Sequence, residues 1–377
     1  MNIALTYNIK REAGETTTAE PGFSGKPNQS AEILSDDRKK YLNKNIIENY
    51  SERIDDTYAE WDSLETITAV KDAIESGGHR VTLIEADENS YIKLKELKPD
   101  FVFNIAEGYY GSSRESQIPA ILEMLNIPFT GSDSITTGIC HDKSRCKEIL
   151  KYYGIATPDF FITDNKFRIS ELNPKIKFPK FIKPLHEGSS KGIYNSSVVY
   201  NAEELNNEIQ RIKKLYNQPS IVEDYLPGKE FTAAVLGNNG SARVLPLIEI
   251  DLSFVPENFN KIYSYEVKWF FDTRENQLDI FKCPAEIDSA LYSEIENLCL
   301  NTYNKLRIKD WARIDIRLDE NDTPYIIEIN PLPGILPDPR DNSCYPKAAR
   351  TAGMDYNQMI NAVLNEAVKR AMLNYKC

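Results

Sequence analysis

Features that define several other classes of protein are missing from this 377-residue sequence. No run of about 18 apolar residues occurs, so a transmembrane helix is not expected. The start of the chain, MNIALTYNIKREAGE, has no basic stretch followed by an apolar one, so no signal peptide is predicted. The net charge of −12 argues against broad binding to nucleic acid or to anionic membranes. We therefore expect a cytoplasmic protein that binds neither nucleic acid nor membranes.

Paired cysteines are missing as well. The six cysteines are scattered along the chain without a CxxC pair, at positions 140, 146, 283, 299, 344 and 377. This distribution is typical of reduced thiols in a cytosolic protein. It argues against a disulfide framework and against a zinc site.

The chain is too long for one small core, and its length predicts two or three domains. Strand-like runs at 2–7, 79–85 and 100–106 alternate with helical patterns in the N-terminal third. This alternation predicts an open, mostly parallel sheet. The polar and aperiodic segment 8–56 interrupts the pattern, and we interpret it as a functional lid, an inserted excursion or disorder.

The rest of the chain has a different pattern. Short β-like runs with one helix at about 202–216 predict a layer of hairpins over the first domain. The last third contains a predicted strand near 265–270, a helix at about 286–304 and a long C-terminal helix. Parallel and antiparallel layers are therefore expected in one chain.

The segment ARIDIRLDENDTPYIIEIN, residues 312–330, is typical of a β-hairpin because two β-like runs flank a polar turn. With the turn centred on 321–322, Asp315 faces Glu328 and Arg313 faces Asn330. The opposite face is apolar and carries Ile314, Ile316, Ile327 and Ile329. Like charges placed directly opposite each other destabilise a sheet, so the two acids require an explanation.

Two explanations of the opposed acids stay open at this point. The polar face of the hairpin is either solvated, with Arg313 partly neutralising the acids, or it binds a metal. Asn330 would add a neutral oxygen to the two carboxylates, and oxygen ligands suit a hard cation such as Mg²⁺. Arg313 beside such a site would suit a phosphoryl group in transfer.

Three further segments carry candidate residues, and each also has an ordinary structural explanation. In FPKFIKPLHEGSSKG, residues 178–192, Lys183 precedes a Gly/Ser loop that suits phosphate oxygens or is simply a turn. VEDYLPGKEF, residues 222–231, lines a cleft or forms a plain hairpin. In KIYSYEVKWF, residues 261–270, Lys268 ends a predicted aromatic strand and is either functional or merely exposed.

These segments together resemble the ATP-grasp superfamily, and within it the D-alanine–D-alanine ligases. FIKPLHEGSSKGI, IVEDYLPGKEFTAAVLG, YSYEVKW and ARIDIRLDENDTPYIIEINPLPG occur in the order and spacing of that family. HDKSRCK, DFVFNIAEGYYGSSRESQIPAILEMLNIPFTGS and PKAARTAG extend the resemblance over most of the chain.

The resemblance implies an α/β (α+β) fold with three domains of ATP-grasp architecture. A parallel α/β domain at 1–142, with an inserted polar segment at 8–58, would precede two antiparallel-sheet α+β domains at 143–238 and 239–377. These two domains would clasp ATP between their sheets. A homodimer is a further expectation, since dimers are common among such proteins.

The resemblance also implies roles for individual residues. Residues expected to bind the nucleotide are Lys143, Lys183, Glu223, Tyr225, Leu226, Glu230 and Lys268. Two Mg²⁺ ions are expected at Asp315, Glu328 and Asn330, and Mn²⁺ could take their place. The expected catalytic residues are Arg313, which would stabilise the transferred phosphate, Ser189, which would cover the phosphates, and Glu60, which would bind the ammonium of the first amino acid.

The chain departs from the family pattern where substrates would bind. EGYYG stands in place of the family's His-Gly, so Glu107 or Tyr109 is expected to replace that histidine. After the metal ligands the sequence reads NPLPGILPDPRDNSCYP, and Ser343 or Arg340 is expected to bind the acceptor carboxylate. These departures favour a related ligase with other amino-acid or carboxylate substrates.

Three hypotheses follow from the sequence. The first is an ATP- and Mg²⁺-dependent carboxylate–amine ligase that acts through an acylphosphate on small carboxylate and amine substrates. The alternatives are a true D-alanine–D-alanine ligase with diverged pockets and a non-catalytic nucleotide-binding protein that kept the fold.

Overall fold

The structure is a computed structural model that describes residues 1–10, 58–164, 167–255, 259–268 and 280–374. Nearly all of the predicted polar segment at 8–58 lies outside the described residues. Its first residues continue β1, because Ile9 forms a parallel bridge with Asp62. Residues 9 and 62, on either side of the segment, are therefore neighbours in space.

The N-terminal part is built on a parallel sheet. β1 (Asn2–Tyr7) lies between β2 (Arg80–Glu85) and β3 (Phe101–Asn104), and both pairings are parallel. α1 (Leu64–Ser76) and α2 (Ser90–Leu97) provide the connections. The predicted parallel sheet is therefore confirmed.

Three helices follow, and the last of them brings lysines toward the sheets described next. They are α3 (Gln117–Met124), α4 (Ser134–His141) and α5 (Lys143–Tyr152). Asp142 caps α5, since its Oδ1 accepts hydrogen bonds from the backbone N–H groups of Ser144 and Arg145. This N-cap fixes the start of the helix and places Lys143 in its first turn.

The central part is an antiparallel sheet covered by one helix. Its strand order is β4–β7–β5–β6, with β4 (Phe160–Thr163), β5 (Lys180–Pro184), β6 (Val198–Val199) and β7 (Ser220–Asp224). α6 (Ala202–Tyr216) packs its apolar face on Ile182 and Val222 of this sheet. Because this helix covers one face of the sheet, the side chains on the other face are available to form a binding site.

The largest sheet has the strand order β11–β10–β8–β12–β13, and β9 also pairs with β8. Its strands are β8 (Glu230–Leu236), β9 (Arg243–Val244), β10 (Ile248–Ile250), β11 (Phe281–Lys282), β12 (Trp311–Leu318) and β13 (Pro324–Asn330). α7 (Ser289–Lys305) lies between β11 and β12 in the chain, and α8 (Cys344–Thr351) and α9 (Tyr356–Asn374) follow β13.

β12 shows how this sheet serves both core and site. Ile314 and Ile316 are buried against α7, in a cluster with Ile295, Cys299 and Tyr303. Because side chains alternate along a strand, Arg313, Asp315 and Arg317 point to the opposite face. The hydrophobic burial of one face therefore fixes the position of the charged residues on the other.

One predicted element is wrong. Tyr265–Lys268 was expected in a strand, but these residues form a helical turn in which the Lys268 N–H donates to the carbonyl of Ser264. The aromatic alternation of this stretch was mistaken for strand periodicity. Positions 269 and 270 lie outside the described residues, and the predicted domain boundaries stay predictions.

No helix within the described ranges is both long and apolar enough to cross a membrane.

Candidate active site

A cavity of about 330 Å³ is lined by residues from all three parts of the chain. The central sheet contributes Lys183 and Glu223, and the largest sheet contributes Arg313 and Glu328. Glu60 lies on its wall as well, and it belongs to the N-terminal part. Residues far apart in sequence thus meet in one site.

Asp315 and Glu328 are direct partners across β12 and β13, and Arg313 pairs with Asn330. This confirms the predicted register around the two acids. The register shifts by a bulge between Asp315 and Ile316, so that Ile316 pairs with Ile326 instead of Ile327. The bulge accounts for Ile327, which lines the cavity and does not share the apolar face as predicted.

Each of the two acids is held by polar neighbours. Asp315 accepts hydrogen bonds from Arg313 at 3.0 and 2.9 Å, and from the Thr232 hydroxyl at 2.7 Å. Glu328 lies 3.1 Å from the ammonium of Lys143. Burial alone would raise the pKa of Glu328, but Lys143, Lys183 and Arg313 lower it to about 2. The hairpin therefore places both acids next to cationic side chains, and these hold Glu328 in its ionised form.

Glu223 lies between two buried lysines. Its carboxylate oxygens are 3.2 Å from the Lys147 ammonium and 3.3 Å from that of Lys183. Burial would raise the pKa of Glu223, and the two ammonium groups lower it instead. Lys147 also lies 2.9 Å from the Thr157 hydroxyl, to which it donates. This arrangement keeps Lys183 charged and in place beside the opposed acids.

A second buried ion pair lies at another wall of the cavity. Arg317 donates to Glu230 at 2.7 Å and to the carbonyl oxygen of Leu226 at 2.6 Å. Its guanidinium carbon lies 5.5 Å from the centre of the Tyr225 ring. Burial raises the pKa of Glu230 although Arg317 opposes the shift. Glu230, Tyr225 and Leu226 are thus gathered around one guanidinium group.

The Gly/Ser loop borders the cavity, and Gly188, Ser189 and Ser190 line it. Ser189 and Ser190 have positive φ angles of 50° and 60°, a backbone conformation that residues other than glycine rarely adopt. The Ser190 hydroxyl donates to the carbonyl of Tyr263 at 3.2 Å, and the Lys143 ammonium to that of Glu187 at 2.5 Å. These contacts fix both ends of the loop at the site.

Lys268 lies on the cavity wall, at the end of the helical turn that replaces the predicted strand. Burial lowers its pKa, and the positive charge of Arg313 lowers it further, to about 8. The side chain is therefore close to losing its charge under mildly basic conditions.

Glu60 is not placed as an open acceptor for an ammonium group. One of its oxygens accepts from Arg114 at 2.7 Å, and the other accepts from the backbone N–H of Gly188 at 2.5 Å. Lys191 lies 3.8 Å away. Burial would raise the pKa of Glu60, and Arg114 and Lys191 lower it. In this structure Glu60 joins the N-terminal part to the Gly/Ser loop.

The four residues expected at the substrate pockets are placed differently from one another. Glu107 lines the cavity, and burial raises its pKa well above the ordinary value. Tyr109 is not among the lining residues: its hydroxyl donates to Glu85 at 3.2 Å, and its ring packs on Trp61. Tyr109 therefore packs among N-terminal residues and not at the cavity.

The acceptor side shows a similar division. Ser343 lines the cavity, donates to the carbonyl of Gly334 at 3.0 Å and accepts from the N–H of Leu336 at 3.2 Å. Arg340 lies outside the cavity, where its exposed guanidinium pairs with Asp338 at 2.6 Å. Arg340 is therefore held at the surface by the neighbouring acid, and its assignment to the acceptor carboxylate stays a prediction.

Several buried cations near the site are not among the residues predicted from the sequence patterns. They include Arg114, Lys147, Lys191 and Arg317. Lys147 follows Lys143 at helical spacing, which places both on one face of α5 and was a readable signal. Arg114 and Arg317 contact residues distant in sequence, and no local pattern indicates such contacts.

The donor atoms at the hairpin suit a cation that arrives with a ligand. No group of three or more His, Cys, Asp or Glu side chains in the described part of the chain converges as a metal cluster. Two carboxylates and the amide of Asn330 are nevertheless oxygen donors of the kind that Mg²⁺ prefers, with phosphate oxygens and water completing its shell. Asp315 and Glu328 thus fit a Mg²⁺–nucleotide and not a free-standing metal site.

Two antiparallel sheets with lysines, opposed acids and a Gly/Ser loop around one cavity define the class of ATP-grasp enzymes. Comparisons with known proteins identify the family. The family model described as D-ala D-ala ligase C-terminus matches residues 174–365, about half of the chain. The chain belongs to the D-alanine–D-alanine ligase family, and it is accordingly a ligase that forms carbon–nitrogen bonds.

Similar proteins span most of the chain. A D-alanine–D-alanine ligase of Aquifex aeolicus is 33% identical over 80% of this chain and 94% of its own length. An uncharacterized protein of Sinorhizobium fredii is 32% identical over 82% of this chain and 89% of its own length. The predicted family is therefore confirmed by relatives that include proteins with and without an assigned activity.

Solved structures confirm the fold. The crystal structure of a D-alanine–D-alanine ligase from Bacillus anthracis complexed with ATP covers 99% of both chains, with a TM-score of 0.66 and 21% identity. A second structure of a ligase from that organism covers 82% of this chain and 94% of its own, with a TM-score of 0.64. The predicted ATP-grasp architecture is thus confirmed.

Proposed function

We propose that the protein is an ATP- and Mg²⁺-dependent carboxylate–amine ligase that joins two amino-acid-type substrates through an acylphosphate. The observation that carries the proposal is the pairing of Asp315 with Glu328 in a cavity that also holds Lys143, Lys183 and Arg313. Opposed acids destabilise a sheet, so their presence here requires a functional reason. A Mg²⁺-bound polyphosphate explains both features, because the acids bind the metal and the lysines and Arg313 bind the phosphates.

ATP is the nucleotide that the family uses, and the walls of the cavity support a position for it. Tyr225, Leu226 and Glu230, together with Glu223, would hold the adenine and ribose. Phosphate oxygens would lie at the lysine side chains, in reach of the Ser189 loop. The residues proposed for the phosphates are Lys143, Lys183 and Lys268, and those proposed for two Mg²⁺ ions are Asp315, Glu328 and Asn330.

Bound Mg²⁺ would supply charge neutralisation for the crowded phosphates. Transfer of the γ-phosphoryl group to a substrate carboxylate releases ADP and leaves an acylphosphate, a far better acyl donor than the carboxylate. The amine nitrogen of the second substrate then bonds to the acyl carbon, the carbon–oxygen bond to phosphate breaks, and a proton is lost. Arg313 lies beside both acids, where a guanidinium would stabilise the transferring charge.

The surroundings of the Ser189 loop support protection of the acylphosphate from water. Water competes with the amine for this intermediate, and its attack would waste ATP. A loop with Gly188, Ser189 and Ser190 on the cavity wall is suited to exclude solvent when it is closed.

The proposed substrates are amino acids. Family membership favours two D-alanine molecules, whereas the departures from the family pattern favour other amino acids. Relatives named as D-alanine–D-alanine ligases support D-alanine as the first substrate to examine. Glu107 and Ser343 line the cavity and are the proposed contacts for the amino and carboxyl ends of substrates. EGYYG and the segment after Pro331 support a preference for another pair.

A phosphate-release screen tests the proposal. Purified protein with ATP and Mg²⁺ is offered D-alanine and then pairs from an amino-acid panel, and ADP, phosphate and amide product are each measured. With one pair of amino acids, ADP, phosphate and amide product are expected in equal amounts. Their formation is expected to require Mg²⁺. Product from D-alanine alone identifies the alternative, a D-alanine–D-alanine ligase. A protein that binds ATP but releases no phosphate with any pair would not be a ligase of this kind.

A further inference from the structure

Arg114 is a buried guanidinium group between the N-terminal part and the Gly/Ser loop. Only 8% of the residue is exposed. One of its terminal nitrogens donates to Glu60 at 2.7 Å, and the other donates to the carbonyl oxygen of His186 at 2.9 Å. A single side chain therefore contacts both an N-terminal acid and the backbone of the loop.

Glu60 extends this contact into the loop. The second carboxylate oxygen of Glu60 accepts a hydrogen bond from the backbone N–H of Gly188. Glu60 and the backbone at Gly188 are so close that there is little room for a side chain at position 188. A Cβ atom at position 188 would lie 2.7 Å from that oxygen of Glu60. Arg114 thus holds the loop twice, directly at His186 and through Glu60 at Gly188.

The charges around Arg114 come from three directions. Glu187 of the loop lies 3.7 Å from it and pairs with Lys191 at 2.6 Å. On α4, the His141 ring nitrogen Nε2 lies 3.0 Å from Arg114, while its Nδ1 lies 2.6 Å from Glu115. The guanidinium is thus surrounded by two acids, one carbonyl oxygen and an imidazole nitrogen, which hold it in one orientation.

We propose that Arg114 is a positioning residue that, through Glu60, holds the loop 186–191 closed over the site. The proposal rests on the ligase function proposed above, for which a closed loop excludes water. It also reassigns Glu60, which the sequence resemblance placed at a substrate ammonium group. A guanidinium suits this role because its fork donates in two directions at once, whereas a lysine ammonium is a point charge.

The first test measures loop closure without any substrate. Hydrogen–deuterium exchange of the peptide that contains Gly188 is compared between wild type and Arg114→Gln. Loss of two charge-assisted hydrogen bonds is expected to speed exchange about tenfold or more. Arg114→Lys, which keeps the charge, is expected to restore part of the protection. Exchange that is unchanged in Arg114→Gln would overturn the proposal.

A matched control removes an arginine that has no contact with the loop. Arg145 lies on the surface of α5 and pairs with Glu148 at 2.7 Å. Arg145→Gln makes the same chemical change and is expected to leave loop exchange and activity unchanged. If Arg114→Gln does not fold, Gly188→Ala provides a second route, because the added Cβ displaces Glu60 while Arg114 stays intact.

The second test uses the reaction. In Arg114→Gln, part of the acylphosphate is expected to be hydrolysed before the amine attacks. The ratio of phosphate to amide product then rises above one, while the Kd for ATP changes little. Glu60→Gln is expected to show the same effect to a smaller extent, since Arg114 still donates to the carbonyl of His186. The double variant is expected to be no worse than Arg114→Gln alone, since Glu60 holds the loop together with Arg114. Additive losses, or a rise confined to the amino-acid KM of Glu60→Gln, would return Glu60 to substrate binding.

The two proposals fail in different ways. If wild type never forms product, the proposed function fails, and the exchange experiment still decides whether Arg114 closes the loop. If wild type forms product and Arg114→Gln stays fully coupled with unchanged exchange, the positioning role alone fails.

Discussion

The carboxylates of Asp315 and Glu328 belong to directly paired residues of neighbouring antiparallel strands. Such a pair is unfavourable in an ordinary sheet. Here Lys143 lies 3.1 Å from Glu328, and Arg313 donates twice to Asp315. The local cations offset the repulsion, and they lower the pKa of Glu328. The oxygens of both acids therefore stay available for a metal that enters with phosphates.

Replacement of Glu328 tests the role of this pair. Glu328→Gln is expected to lower turnover by about a hundredfold or more, because one charged metal ligand is lost where phosphoryl charge develops. The melting temperature falls but unfolding stays cooperative, since the cations lose one partner while the apolar face of the hairpin is unchanged. Turnover and thermal unfolding are measured together.

Glu320→Gln provides the control for this substitution, since Glu320 is exposed at the turn of the same hairpin. It is expected to match wild type in both measurements. Near-normal turnover of Glu328→Gln would contradict the assignment of Glu328 to the metal.

The second prediction concerns Lys147 and its ion pair with Glu223. Both side chains are buried, and their charged atoms lie 3.2 Å apart. Lys147→Met leaves Glu223 with one cation instead of two, so we expect a loss of about 2 kcal/mol or more in the free energy of unfolding. Weaker ATP binding is also expected because Lys183 is then drawn toward Glu223. Thermal unfolding with and without ATP measures both effects.

A neighbouring lysine on the same helix provides the comparison. Lys151 is 40% exposed and pairs with the exposed Asp159, so Lys151→Met is expected to cost about 1 kcal/mol at most. Equal losses in the two variants would show that the buried network around Glu223 contributes nothing special.

The third prediction concerns Lys268 and the pH dependence of activity. Its ammonium is charged below a pKa of about 8 and neutral above it, because burial and the charge of Arg313 both favour the neutral form. If the charged form binds the phosphates, kcat/KM for ATP declines as the pH rises above about 8, since this ratio reports the free enzyme. Lys268→Arg keeps its charge and is expected to remove that decline up to pH about 10.

The pH profiles of wild type and Lys268→Arg are compared with the amino-acid substrates at saturation. A wild-type profile that stays flat from pH 7 to about 10 would show that the charge of Lys268 does not matter for the nucleotide.

The hairpin and the Gly/Ser loop were predictable because their information is local. A turn at 321–322 sets the pairing of Asp315 with Glu328, and alternation along β12 decides which face is apolar. The bulge after Asp315 was not predictable, since one additional residue in a strand leaves no mark in the hydrophobic pattern. It moved Ile327 from the core to the cavity.

The contacts of Arg114 and Arg340 show where sequence patterns do not suffice. Arg114 meets Glu60 and His186 only because three parts of the chain pack together. Arg340 was expected at a substrate because of its charge, but Asp338, two residues earlier, binds it at the surface. The tertiary fold decides which charges meet at Arg114, and residue type alone does not reveal which partner binds either arginine.

The central claim is that a substrate carboxylate is activated by phosphorylation. The most direct measurement uses the productive substrate with ¹⁸O in its carboxylate and follows the label by mass spectrometry. Because the carboxylate oxygen becomes the bridge to phosphorus and leaves with it, one ¹⁸O atom is predicted in each released phosphate molecule, together with ADP and amide product. Released phosphate without ¹⁸O, or label retained wholly in the product, would contradict the acylphosphate mechanism.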